Sequence, residues 1–241
     1  MYGMYGYGYG YGFDPTIILV LIGVALSLWA QGRVNSTFSR YSRVRSMTGM
    51  TGAEAARRLL NAQGIYDVTV QPIAGELTDH YDPRTKTVNL SQSVYGATSV
   101  AAIGVAAHEC GHAMQDNEGY APLRFRSALV PAATFGSKLS WPLILLGLVF
   151  GGLGSPLVEI GILMFSLAVL FQLVTLPVEY NASARAVRLL DSQGILAGEE
   201  VSGTRKVLNA AALTCVAAAA SSILQLLRLI ILFGGRNRRD N

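Results

Sequence analysis

Charge is scarce in this chain. Asp, Glu, Lys and Arg make up 14% of its 241 residues against 51% hydrophobic residues, where a soluble globular protein carries roughly a quarter of its residues as charges. The deficit argues against a water-soluble enzyme and for a protein held in a membrane. Cysteine is nearly absent: Cys110 lies inside a candidate metal motif and Cys215 inside an apolar stretch. That excludes a disulfide framework and leaves two reduced thiols. A single basic face is missing too. The formal net charge is +4, but the arginines are scattered beside apolar segments, which excludes nucleic acid as a partner and fits cations that orient a membrane protein.

What is present falls into segments. Residues 1–13 alternate Tyr and Gly with no periodic apolar face, too little to fold alone, and read as a flexible tail; their Tyr rings would also suit the headgroup layer. Residues 14–31 form the first transmembrane helix, about 16 uncharged residues spanning roughly 24 Å of a ~30 Å hydrocarbon core. With no Lys or Arg before it, it reads as an uncleaved anchor and not a signal peptide. Residues 32–138 hold most of the polar chain. Within them Thr51 to Gly64 predicts a helix with Thr51 as N-cap and Gly64 just past its end. Val68 to Val70, Leu77 to His80 and Thr87 to Leu90 are extended candidates, the last two forming a hairpin across the turn-rich Tyr81 to Lys86. Thr98 to Gln115 predicts a second helix.

Residues 139–178 predict a transmembrane hairpin, with spans at Leu143 to Phe150 and Leu157 to Val178 around a Gly151 to Pro156 turn. Residues 179–209 return to polar character, 210–234 form a fourth apolar helix interrupted by Arg228, and 235–241 are a basic tail. The fold class is therefore a mainly α integral membrane protein with a small β-hairpin and three to four transmembrane helices. Lys and Arg in the short flanking loops put 32–138 and 185–206 in the cytoplasm. Four full spans would then leave Arg236, Arg238 and Arg239 outside, so the last segment is re-entrant, packs on the catalytic part, or breaks the rule locally.

The chemistry centres on His108-Glu109-Cys110-Gly111-His112. On a helix, His108 and His112 project from one face one turn apart and can share an ion, while Glu109 stands beside them as a base for a metal-acidified water. Five letters with three fixed positions are weak evidence alone. Two of the chain's three histidines lie here, however, on a helix whose other positions are small enough to admit a neighbouring helix. Cys110, about 200° around from His108, faces the core. One Zn²⁺ per chain, with a bound water, still lacks one protein ligand. Glu179, at the exit of an apolar span, is the best candidate. Asp116 and Glu118 point away along the same helix, and Asp191, Glu199 and Glu200 remain alternatives.

HECGH, two intervening spans and Glu179-Tyr-Asn-Ala-Ser-Ala-Arg-Ala186 resemble the HtpX and CAAX-prenyl-protease class of membrane gluzincins, whose second motif is Glu-(Tyr/Phe)-x-Ala-Asp-x-x-Ala. Over roughly Asp14 to Phe233 the chain is more similar to the small YugP-like neutral zinc metallopeptidases of bacterial membranes. The resemblance implies a zincin-like metal helix, His108, His112 and Glu179 as zinc ligands, and Glu109 as general base and then acid. Ser183 stands where the family has Asp, so Asn181 or Ser183 would supply the hydrogen bond that orients a ligand histidine. Membrane-proximal peptides or membrane proteins are the implied substrates, in the bacterial plasma membrane. Its main competitor is a catalytically silent scaffold that keeps the zinc site, for which the Ser183 departure is the support. His80, or Tyr81, is a candidate oxyanion donor. Thr87, Val88, Asn89 and Leu90 are a candidate open strand edge for an extended substrate. The oligomeric state carries no signal.

Overall fold

A computed structural model describes residues 14–152 and 155–233. The tails at 1–13 and 235–241, and residues 153–154 of the expected turn, lie outside them. In chain order the elements are α1 (Ile17–Ser42), α2 (Gly52–Ala62), β1 (Thr69–Ile73), β2 (His80–Asp82), β3 (Thr87–Ser91), α3 (Gln92–Tyr95), α4 (Val100–Asn117), α5 (Ala121–Gly151), α6 (Pro156–Ser192) and α7 (Glu199–Phe233). The fold is mainly helical with one small sheet, and α1, α5, α6 and α7 are each long and apolar enough to cross a membrane.

These four pack as two antiparallel pairs through small residues, as helices do where lipid removes the hydrophobic drive. Along α1 and α7, Ser221 Oγ donates to Gly23 O at 2.8 Å. At one end of that pair Arg228 Nη2 donates to Asp14 Oδ2 at 2.9 Å. The arginine that interrupts the fourth apolar segment is thereby paired, and the segment is one continuous helix with no re-entrant break. Between α5 and α6, a Cβ on Gly161 would lie 2.9 Å from Ser140 O, so only glycine permits this approach. α5 starts at Ala121, inside the polar part, and runs unbroken through Lys138 into the apolar hairpin. Pro122 suits its first turn, and Pro131 and Pro142 each remove one backbone bond without ending it.

The polar half is organised on α4. Thr51 and Glu54 cap α2 reciprocally, and Gly64 follows it at φ +69°. The buried face of α2 (Ala53, Ala56, Leu59, Leu60) joins Val88, Leu90 and Ile103 in one core. Small residues on α4 let two long helices close in. A Cβ on Gly104 would meet Thr204 of α7 at 2.8 Å, and one on Gly111 would meet Ala182 O of α6 at 2.6 Å.

The sheet corrects two expectations. Its order is β1-β3-β2, with β1 parallel and β2 antiparallel to β3. The Thr87 to Leu90 strand is therefore central and fully buried, not an open edge: a distant parallel partner covers the side the hairpin leaves free. The hairpin's first strand is His80–Asp82 and not Leu77 to His80. Leu77 sits at φ 54°, and Asp79 turns its carboxylate onto Ser91 N at 2.7 Å, so the chain enters the strand only at His80.

Candidate metal centre

Ser99 caps α4 by accepting from Ala102 N, and the 3.6-residue period then places His108 and His112 on one face, ring centroids 4.8 Å apart. From α6, Glu179 points its Oε2 at both rings, 3.2 Å from His108 Nε2 and 3.6 Å from His112 Nε2. Pro177, two residues earlier inside the helix, frees one backbone carbonyl in the preceding turn. All three donor atoms lie within 4.8 Å of one another. A tetrahedral Zn²⁺ with bonds of about 2.0–2.1 Å needs its ligand atoms ~3.3 Å apart, and the two separations from Glu179 Oε2, 3.2 and 3.6 Å, lie on either side of that value. The donor set fits zinc. Asp191, Glu199 and Glu200 do not join it; Glu200 accepts from Met47 N, and Glu118 is paired with Arg185.

Each imidazole is oriented through its second nitrogen. Ser183 Oγ lies 3.1 Å from His108 Nδ1, so a hydroxyl reaches the nitrogen that the family's Asp would serve. Gln115 Oε1 lies 3.0 Å from His112 Nδ1. Gln115, completely buried, also donates from Nε2 to Val178 O and Asn181 Oδ1, both at 2.9 Å. Asn181 thus acts one step back from the ligand. Gln115 is three residues after His112 on the same helix, a spacing legible in the sequence but not singled out there. Burial disfavours the His112 imidazolium, yet Glu179 and then Glu109 outweigh it and raise its pKa. The site favours positive charge.

Glu109 lies beside the ligands, 7% exposed, and Oε2 accepts from Tyr81 N at 3.0 Å. This bond turns the outer edge of β2 toward the site. His80, Tyr81, Glu109, the ligands and the start of α5 line a cleft of about 790 Å³. Neither expected oxyanion donor is free. His80 Nδ1 lies 2.8 Å from Thr78 O, which requires a proton there, and Nε2 then accepts from Asn89 Nδ2 at 3.2 Å. The Tyr81 hydroxyl donates to Asp116 at 2.8 Å, and burial, with Asp116, raises its pKa. Two arginines line the cleft, Arg84 and Arg126; Arg126 of α5 has its Nη2 3.9 Å from Glu179 Oε1 and a buried Nε without a partner among the described residues. No pattern in the sequence marks Arg126. Cys110 is buried, its Sγ 3.6 Å from Ala56 O, with its thiol pKa pushed up by burial.

With this geometry in place, the comparisons with known proteins are direct. The family described as "Putative neutral zinc metallopeptidase" matches residues 16–234. The chain belongs to that family. It is also 48% identical over 224 residues to "Putative membrane protease YugP" of Bacillus subtilis (strain 168), covering 93% of this chain and 98% of the relative. No solved structure matches it. The family description names zinc and peptidase chemistry, which agrees with the His108, His112 and Glu179 cluster. The relative's name agrees with four membrane-capable helices.

Proposed function

We propose that this protein is a membrane-bound, zinc-dependent endopeptidase whose site is closed jointly by α4 and α6. The observation that carries the reading is the convergence of His108 Nε2, His112 Nε2 and Glu179 Oε2 in an open cleft with Glu109 alongside. When bound there, zinc acidifies a water molecule toward neutral pH so that it can serve as nucleophile. Glu109 Oε1, the oxygen not engaged by Tyr81 N, takes the water's proton and returns it to the leaving amine. The substrate lies extended along β2, the edge strand beside the site. Arg126 meets the negative charge that grows on the scissile carbonyl oxygen, in place of His80 or Tyr81. Ser183 and Gln115 keep the two imidazoles in register for the ion.

The substrates are membrane proteins or membrane-proximal peptides. Support comes from the cleft wall: Val130 and Pro131 belong to a helix that continues into the apolar hairpin. The polar half faces the cytoplasm on the Lys and Arg asymmetry. Maleimide labelling of an introduced Arg84→Cys in intact cells should fail without permeabilisation; ready labelling would reverse the topology. A silent scaffold loses its support, because Ser183 reaches His108 directly. The deciding experiment measures zinc per chain and casein cleavage in the wild type and Glu109→Gln. One zinc in both, with turnover reduced at least about 10²-fold in the variant, is expected. Bound zinc with cleavage indifferent to Glu109 would overturn the proposal.

A further inference from the structure

Three helices leave their apolar stretches at one level. α1 does so between Ala30 and Arg33, α6 between Val178 and Tyr180, and α7, running the other way, between Ala210 and Lys206. Between them, on the side of α6 away from the cleft, lies an open groove of about 720 Å³. Arg33 and Arg40 of α1 and Lys206 of α7 line it, with Tyr180 from α6 and with Ala210 and Leu213 toward the apolar end. No carboxylate is in its lining. Among the described residues none of the three cations makes a salt bridge, and Arg40 has a tyrosine ring, Tyr41, 5.6 Å away.

Three uncompensated cations in one groove at a membrane boundary repel one another unless an anion joins them, and basic pockets between helices at this level take lipid headgroups. We propose that this groove binds the phosphate of an anionic phospholipid, with its acyl chains running past Leu213 into the bilayer. The missing carboxylate sets the class: a choline or ethanolamine headgroup would bring an ammonium group with nothing to receive it, whereas a phosphatidylglycerol headgroup needs only cations and hydroxyl partners. The inference rests on the membrane reading but not on peptidase activity. The site also adjoins, through one residue, the segment that carries Glu179. Tyr180 directly follows Glu179, and the wall around Tyr180 and Asn209 continues into a second groove that reaches Ser183, the hydrogen-bond partner of His108. A bound lipid therefore braces the turn of α6 that carries the third ligand.

The test uses the full chain purified in phosphatidylcholine and offered phosphatidylglycerol, with retained lipid counted by native mass spectrometry. Each cation is worth about fivefold in affinity near an anionic surface, so Lys206→Gln should weaken retention about fivefold. The triple change Arg33→Gln, Arg40→Gln, Lys206→Gln should weaken it more than about twentyfold, while the charge-matched Arg43→Gln, Arg57→Gln, Arg58→Gln retains the lipid. Lys206→Arg should retain it as well, which keeps the test valid if the triple variant misfolds. Equal retention in wild type and Lys206→Gln, equal retention of phosphatidylcholine, or displacement of the lipid by millimolar inorganic phosphate would each overturn the proposal, the last by reducing the groove to a site for free anions.

Discussion

The two halves of this molecule use the same residue types in opposite ways. Around α4, Leu90 and Ile103 are wholly buried, because water drives apolar side chains inward. In the α5–α6 hairpin, Val149 and Phe150 are 75% and 80% exposed, and glycines such as Gly136 and Gly161 face the partner helix instead. Lipid is as apolar as leucine, so contact there rewards close backbone approach and not side-chain burial. The metal centre lies where the two regimes meet. One helix of the polar core brings His108 and His112 to it, and a helix emerging from the apolar hairpin brings Glu179.

The strongest way to break this contrast is to truncate one large side chain in each half. Leu90→Ala should destabilise by about 2–5 kcal/mol, as core truncations do, whereas Phe150→Ala should stay within about 0.5 kcal/mol. Thermal unfolding of both variants in detergent would read the difference, and equal losses would mean that the hairpin is buried against something else. Arg126 asks whether the polar end of α5 belongs to the chemistry. Arg126→Ala should lower kcat about 10²–10³-fold with zinc content unchanged, and a loss confined to KM would make it a substrate-binding residue instead. At the junction, Gln115→Leu and Ser183→Ala should each weaken zinc affinity about 10–100-fold, the usual effect of removing a ligand's orienting partner. Competition with a chelator would measure it, and no change in either would leave Glu179 without help in setting the site. The smallest effect is local to the polar half: Thr51→Ala removes one side of the α2 capping box and should cost about 1 kcal/mol, followed by the same unfolding measurement.

Much of this was legible in the residues. Thr51 and Gly64 delimited a helix because capping is a matter of spacing within one segment. HECGH placed two ligands and a base on one helical face for the same reason. Glu179 was harder: several acids could have filled the role, and a family resemblance favoured it. His80 and the Thr87 to Leu90 edge were misjudged because both depend on which strands pair, which alternation within one strand does not show. Asn89 occupies one ring nitrogen of His80, and β1 covers the free side of β3.

The sequence alone determined that the chain is a helical membrane protein carrying a two-histidine metal motif, since composition and helical period are local properties. Tertiary structure decided what completes the site and what surrounds it. Glycine at 111 lets the α6 backbone approach α4 closely enough for Glu179 and Ser183 to reach His108. Only the packing of α5 brings Arg126 into the cleft. Those contacts link residues roughly fifty to seventy-five positions apart, and no periodicity within a segment encodes a distance between two helices.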